Sequence, residues 1–175
     1  MIDFAILALP RSGTTWAANW LTTEHSLCLH DPMADISPSG LQAFGGQDDG
    51  RLHGVSCTAL WMQPDWVVAN VKRWLILERS IDEVNCSLRA IGLGDMPEES
   101  VQAFRSMSGP RAPMSDLFRV GTARVIWEYL VPGLPFDVQR HALLKTWMVN
   151  PFFAGWEPDP VAVKAWMQRA QEAMQ

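Results

Sequence analysis

The clearest chemical signal in the sequence is a short polar loop at residues 11–15, Arg-Ser-Gly-Thr-Thr. Its backbone N–H groups, three hydroxyls and one guanidinium can all donate to an anion, and Gly13 lets a ligand approach the backbone closely. An apolar run over residues 2–9 precedes the loop, and Trp16 and Trp20 follow it at helical spacing. A strand, a loop and a helix N-terminus in this order aim several donors at one point. We therefore expect a phosphate or sulfate site beside a helix that begins near Gly13, with a polar turn that binds nothing as the alternative.

A second candidate anion site follows another apolar strand, which we predict over residues 73–78. This strand is followed directly by Arg79, and Ser87 lies eight residues later on an amphipathic helix that ends near Gly92. An arginine at a strand end and a serine on the next helix can hold a phosphate by charge and hydroxyl together. In the alternative interpretation Arg79 pairs with Glu83 and Ser87 is an ordinary surface residue. Residues 80–83, Ser-Ile-Asp-Glu, also match a capping box at the start of this helix.

The elements that must position these residues are strands alternating with helices. This order predicts an α/β fold, a three-layer arrangement with a mostly parallel sheet flanked by helices, in a single domain over residues 1–175. Residues 35–52 are rich in Gly, Ser, Asp and Pro, which predicts a long loop, with at most a helical turn near 41–44, that could close over a substrate. Residues 108–113 are expected to be a loop. The other predicted strands are 26–30, 53–57 and 124–127, and the other predicted helices are 64–71, 97–107, 138–147 and a last helix capped by Asp159.

Composition limits the partners and the compartment. The net charge is −5 with a pI near 5.3, which argues against a nucleic acid or an anionic membrane surface as the main partner. An anionic ligand must therefore be held by a local positive site. No apolar run approaches the ~20 residues that span a bilayer. The three cysteines show no disulfide or zinc pattern, so we expect a reducing compartment, the cytoplasm, and no metal site.

The two candidate anion sites together resemble a known family. The pattern P-[KR]-S-G-T-T-[WL] after the first strand is that of sulfotransferases that use 3′-phosphoadenosine-5′-phosphosulfate (PAPS), and residues 10–16 match all seven positions. The stretch LILERSIDEVNCSL resembles the second motif of that family, with Ile81 where proline is frequent. Residues 125–131, VIWEYLV, are loosely similar to a late strand of the family. The resemblance covers most of residues 3–131.

The resemblance implies a role for each matched position. The 5′-phosphosulfate of PAPS would lie on the first loop, the 3′-phosphate on the second motif, and the adenine against Trp16; the product would be adenosine 3′,5′-bisphosphate. The implied cofactor-binding residues are Arg11, Ser12, Gly13, Thr14, Thr15, Trp16, Arg79 and Ser87. Many members of the family also close over the cofactor with a late Arg-Lys-Gly loop, which has no match here. Arg111, Arg140 or Lys145 could replace it.

The catalytic base is the least defined part of the resemblance. In some members the second strand ends in a glutamate that acts as base, and here His30-Asp31-Pro32 stands at that place. Asp31 is the first candidate for the base and His30 the second. Alternatively, Asp31 caps a turn and His30 belongs to the core. Arg11 would stabilise the charge that develops during transfer.

The function predicted from the sequence is thus sulfuryl transfer from PAPS to a hydroxyl or amine of a small molecule, a sugar or a peptide. Two other functions remain as alternatives. A small P-loop kinase or NTPase would need a lysine after Gly13, where Thr14 stands, and an aspartate at a strand end to hold magnesium. The other alternative is a nucleotide-binding module of the same fold without catalytic activity.

Overall fold

The protein is built on a five-stranded, all-parallel sheet. The computed structural model describes residues 1–147 and the short segments 153–154 and 157–158. The strands are β1 (Phe4–Ala8), β2 (Ser26–His30), β3 (Leu52–Cys57), β4 (Trp74–Glu78) and β5 (Arg111–Pro113), in the spatial order β2-β3-β1-β4-β5. The central strand β1 therefore has β3 on one side and β4 on the other. This arrangement confirms the predicted α/β fold.

Helices cover both faces of the sheet. They are α1 (Thr14–Leu21), α2 (Pro38–Phe44), α3 (Pro64–Asn70), α4 (Ile81–Arg89), α5 (Glu98–Ser106), α6 (Val120–Leu130) and α7 (Val138–Trp147), with short 3₁₀ turns at Pro32–Ala34, Leu60–Met62 and Met114–Phe118. Helices α1, α6 and α7 share one hydrophobic core, and α2 to α5 contribute to the other. The fold thus has three layers.

The central strand shows why this sequence forms a buried sheet. In β1 every residue is buried, and Phe4, Ile6 and Ala8 join one core whereas Ala5 and Leu7 join the other. Alternation of side chains across a strand places apolar residues on both faces, as a sheet covered on both sides requires. The predicted strand at residues 2–9 is therefore confirmed in its centre.

The last strand of the sheet is not where the sequence pattern placed it. Residues 124–127 were predicted to be a strand and belong instead to α6, so the similarity of residues 125–131 to a late strand is also wrong. The buried positions of α6 are Ala123, Ile126, Trp127 and Leu130, which follow helical spacing. Strand β5 lies in the segment predicted as a loop, and it pairs with β4 over three residues only.

The segment 35–52 is more ordered than its composition suggests. Ser37 is the N-cap of α2, accepting a hydrogen bond from the Gly40 N–H, and Pro38 occupies the first turn. Leu41 and Phe44 of this helix are buried in the core. The segment is therefore anchored at α2, which does not fit a freely closing lid.

The remaining expectations have mixed outcomes. Ser80 is the N-cap residue of α4, but its side chain makes no cap hydrogen bond, so the predicted capping box is wrong. The predicted helix after Asp159 lies outside the described residues. A small antiparallel ribbon joins β6 (Phe153–Ala154) to β7 (Glu157–Pro158). Cys28, Cys57 and Cys86 are free thiols. Within the described residues no helix combines the length and the apolar character needed to cross a membrane.

Candidate anion-binding site

The candidate residues meet at the carboxyl edge of the sheet. Because all five strands are parallel, the segments that follow β1, β2 and β4 leave the sheet at the same edge. In open α/β sheets this edge is where ligands bind, next to the strand at which the strand order reverses. Here that strand is β1, and residues 10–15 connect it to α1.

The loop at residues 11–15 has an alternating backbone conformation. The φ angle is +65° at Arg11 and +82° at Gly13, while Ser12 between them keeps a negative φ. Alternation of this kind turns successive N–H groups toward one concave side, which is the geometry of anion-binding loops. Arg11 pays the strain of a left-handed conformation, and such strain concentrates at functional sites. The loop therefore has a backbone conformation that suits an anion.

Position 13 requires a glycine because its backbone is left-handed and because a neighbouring side chain leaves little room for a β-carbon. A β-carbon at this position would lie 3.3 Å from the Cγ and Sδ atoms of Met114. Met114 begins the 3₁₀ turn that follows β5 and is partly buried above the loop. The sequence pattern does not indicate this contact, because β5 was not predicted and nothing else in the sequence brings Met114 near the loop.

Arg11, Arg79 and Ser87 form one connected group. The Arg79 Nη1 donates a 2.5 Å hydrogen bond to the backbone carbonyl of Arg11, and the Arg11 Nε donates a 3.0 Å hydrogen bond to the Ser87 hydroxyl. The two predicted anion sites, 76 residues apart at Arg11 and Ser87, are therefore in direct contact. Arg11 was expected on the phosphosulfate side, but its side chain reaches the second motif.

The charges of this group are only partly compensated. Among the described residues Arg11 has no carboxylate within ion-pair distance, and Arg79 has only Glu83, with its Nε 3.5 Å from the carboxylate. Glu83 is well exposed, so this contact gives little compensation. The Ser12 hydroxyl is fully buried and has no hydrogen-bond partner among the described residues. Two guanidinium groups and a buried hydroxyl without full partners are chemically suited to contact an anion.

His30 and Asp31 lie on the other side of the loop. The His30 Nε2 is 3.2 Å from the Thr14 hydroxyl, 3.0 Å from the Thr15 hydroxyl and 3.1 Å from the Asp31 Oδ2. Burial lowers the pKa of His30, and the nearby Asp31 carboxylate acts in the opposite direction. The structure thus brings both candidate bases to the threonines of the loop.

Asp31 is held by the end of the neighbouring strand. Its Oδ1 accepts a 2.5 Å hydrogen bond from the backbone N–H of Thr58, the first residue after β3. The φ angle of Asp31 is +44°, a left-handed conformation that aspartate tolerates better than most residues. The side chain remains one third exposed, so it can still reach a bound molecule. Thr58 was not expected, because its contribution comes from the backbone and carries no side-chain signal.

Trp16 does not fit the role that the resemblance implied. The residue is 6% exposed, and its Nε1 donates to the carbonyl oxygen of Leu144 at 3.1 Å. The ring also packs against Trp20, Phe118 and His141. Little of its surface is left for an adenine. Trp16 is a core residue that fixes α7 to α1.

Two of the three basic residues considered for the missing closing loop have structural partners. Arg111 pairs with Glu78 at 2.7 Å and donates to the carbonyl oxygens of Phe104, Arg105 and Met107. Arg140 donates 2.6 Å hydrogen bonds to the carbonyl oxygens of Asn19 and Thr22, and burial lowers its pKa. Lys145 is exposed on α7. Neither arginine is available to close over a ligand without breaking these contacts.

Within the described residues, no three His, Cys, Asp or Glu side chains cluster in a way that could hold a metal ion.

In the comparisons with known proteins, no family model matches the sequence and no curated protein is significantly similar to it. The assignment of a function therefore depends on the geometry of the site and on the motifs.

Proposed function

We propose that this protein is a sulfotransferase that moves a sulfuryl group from PAPS to a hydroxyl or amine. The contact between Arg79, Arg11 and Ser87 beside the loop at residues 11–15 carries this proposal. It brings the two candidate anion sites together at neighbouring strand ends, and a nucleotide with phosphates at both its 3′ and 5′ positions has the matching chemistry. The acceptor is a small molecule, a sugar or a peptide, and the protein acts in the cytoplasm.

The residues present fit a phosphosulfate on the loop. The buried Ser12 hydroxyl has no hydrogen-bond partner among the described residues, and the alternating backbone of the loop has a geometry that suits an anion. Arg79 and Ser87 then hold the 3′-phosphate, with Arg11 between the two anions. PAPS supplies the activated sulfuryl group and, after its S–O bond to the 5′-phosphate breaks, leaves as adenosine 3′,5′-bisphosphate.

The protein residues have two tasks in the transfer. Arg11 and the loop N–H groups stabilise the charge that builds on the leaving phosphate, and such preorganised donors contribute about 10²–10³ each in turnover. Asp31 accepts the proton of the acceptor O–H or N–H as that atom forms its bond to sulfur. His30 contacts Asp31 and is the second candidate for the base.

The test is binding of adenosine 3′,5′-bisphosphate by calorimetry, compared with adenosine 5′-monophosphate. We expect the bisphosphate to bind more tightly and Arg11→Ala to lose most of this binding. Arg119→Ala is the matched control, because among the described residues this exposed guanidinium forms an ion pair only with Asp116, at 3.7 Å. Unchanged bisphosphate binding by Arg11→Ala would refute the site assignment. Formation of a sulfated product from PAPS and a panel of phenols, amines and sugars then tests the reaction itself.

A phosphoryl-transfer function is favoured by one observation. The hydroxyls of Thr14 and Thr15 and the carboxylate of Asp31 converge on His30, and a threonine hydroxyl with a strand-end aspartate could hold Mg²⁺ in a kinase. If the protein binds ATP in the presence of magnesium more tightly than it binds adenosine 3′,5′-bisphosphate, this alternative is supported. Bisphosphate binding without transfer to any acceptor would instead indicate an inactive nucleotide-binding module.

A further inference from the structure

We infer that Met114 is a positioning residue for the anion-binding loop, which it restrains from the segment that follows β5. The inference rests on the anion site of the proposed function and adds to it a residue that lies outside both sequence motifs. It starts from two contacts between the 3₁₀ turn Met114–Phe118 and the first turn of α1.

The first contact joins Met114 to Gly13. The Cγ and Sδ atoms of Met114 lie 3.3 Å from the place where a β-carbon of Gly13 would be. Apart from the chain neighbours of Gly13, no other described residue has an atom within 4 Å of that place. A glycine has more backbone freedom than any other residue, and it has no side chain of its own that could limit its motion. The thioether of Met114 therefore supplies the side-chain contact that limits the motion of Gly13.

The second contact lies one helical turn further along α1. The ring of Phe118 packs edge-on against the ring of Trp16, and the ring centroids are 5.0 Å apart. Phe118 ends the 3₁₀ turn that Met114 begins, and Trp16 lies three residues after Gly13. The two segments thus contact each other at both ends of this helical turn. Together the contacts fix the beginning of α1 and the loop that leads into it.

The 3₁₀ turn is itself anchored in the fold. Leu117 is fully buried, and its carbonyl oxygen accepts a 2.7 Å hydrogen bond from the Nε2 of the buried His141. The carbonyl oxygen of Asp116 accepts a 2.7 Å hydrogen bond from the Thr122 hydroxyl. A side chain on a segment that is held in this way has a defined position, so it can restrain a loop that it contacts.

The position of Gly13 matters for an anion because backbone N–H groups form much of the site. Gly13 is the N-cap of α1, and the first N–H groups of a helix have no acceptor within the helix. The direction of these groups depends on the backbone angles at Gly13, and hydrogen bonds weaken steeply when they are misaligned. Without the thioether of Met114, the glycine gains other conformations. Only a fraction of the molecules then has a loop that can bind, and the affinity falls by that fraction.

The experiment is calorimetry with inorganic sulfate, which tests the anion site without any contribution from a nucleoside. For Met114→Ala we expect sulfate binding about tenfold weaker than in the wild type, as for a competent loop in about one molecule in ten. Met114→Leu keeps a similar volume and should restore the affinity to within about twofold of the wild type. Met96→Ala is the matched control, since Met96 is also partly buried but packs against the core on the other face of the sheet.

A double-mutant cycle shows whether Met114 acts through Gly13 or only contributes to stability. Gly13→Ala adds a methyl group against the thioether, so removal of the thioether should relieve part of the damage. We expect the loss of sulfate affinity in the double variant to be about threefold smaller, or less still, than the product of the two single losses. In the cycle of Gly13→Ala with Met96→Ala the losses should multiply. A residue that only stabilised the fold would change the unfolding transition and not the sulfate affinity of the folded molecules.

The possible outcomes separate this inference from the proposed function. Wild-type sulfate affinity in Met114→Ala, or losses that multiply in the cycle with Gly13→Ala, would overturn the inference and leave the sulfotransferase proposal intact. A wild type that binds adenosine 3′,5′-bisphosphate but no sulfate has the same consequence, whereas binding of neither ligand overturns both. If Met114→Ala does not fold, Met114→Val removes less volume, and its sulfate affinity relative to the wild type decides.

Discussion

The guanidinium of Arg79 donates a 2.5 Å hydrogen bond to the backbone carbonyl of Arg11. One residue follows β4 and the other lies in the loop after β1, so the end of one strand positions the loop of its neighbour. Arg11 adopts a left-handed conformation that most side chains avoid. Such a conformation persists only when the surrounding structure imposes it, and the bond from Arg79 is one such restraint.

Removal of Arg79 should weaken the whole site. Arg79→Ala loses one charged hydrogen bond to the loop and the cation that the proposed function assigns to the 3′-phosphate. A hydrogen bond to a charged group contributes about 1.5–3 kcal/mol, so we expect a loss of about 10–100-fold in affinity for adenosine 3′,5′-bisphosphate, measured by calorimetry. Arg89→Ala at the end of α4 is the control, since Arg89 is exposed and pairs with Asp95. Equal affinities of the two variants would contradict the assignment.

Gly13 should be needed for both stability and binding. Gly13→Ala places a side chain at a φ of +82° and against Met114, and a left-handed conformation costs a non-glycine residue about 1–2 kcal/mol. For a chain of this size that loss lowers Tm by about 2–4 °C per kcal/mol. Gly92→Ala is the control, because Gly92 has nearly the same φ, +79°, and no atom lies within 4 Å of the added carbon. We expect Gly92→Ala to lower Tm but to leave sulfate binding unchanged, whereas Gly13→Ala lowers both.

Trp16 should contribute to stability and not to nucleotide affinity. Trp16→Phe leaves the Leu144 carbonyl without its donor, and an unsatisfied buried group costs about 1–3 kcal/mol. Denaturant unfolding measures this loss, and affinity for adenosine 3′,5′-bisphosphate should stay within about twofold. Trp127→Phe is a matched control, because Trp127 is also buried and donates to the Leu134 carbonyl. A selective loss of nucleotide affinity in Trp16→Phe would contradict this prediction and support the contact between Trp16 and adenine that the resemblance implied.

Asp31 should be needed for turnover but not for cofactor binding. Asp31→Asn can still accept the Thr58 N–H but cannot take a proton, and a general base contributes about 10²–10⁴ in rate. Sulfated product formed per enzyme, together with bisphosphate affinity, separates the two effects. Asp35→Asn on the same connection is the control. Full activity of Asp31→Asn would move the base to His30.

Local patterns in the sequence were sufficient for most of the fold. Several predicted elements are confirmed because the signal of each is contained in a few neighbouring residues. They are the strand before Pro10, the strands at 26–30, 53–57 and 73–78, and the helix ending near Gly92. The strand predicted at 124–127 is wrong because the prediction used only three strand-forming residues. The apolar residues of the wider segment follow helical spacing, and the segment forms α6. Strand β5 is only three residues long, and it depends on pairing with β4.

The sequence by itself determined which residues could bind an anion and that they follow neighbouring strands. Only the tertiary structure decided that Arg79 restrains the Arg11 carbonyl, that Thr58 orients Asp31 and that Trp16 is buried. These relationships join residues far apart in the chain, often through backbone atoms that every residue shares. Residue type and spacing do not encode such contacts, which exist only once the parallel strands bring their ends to one edge.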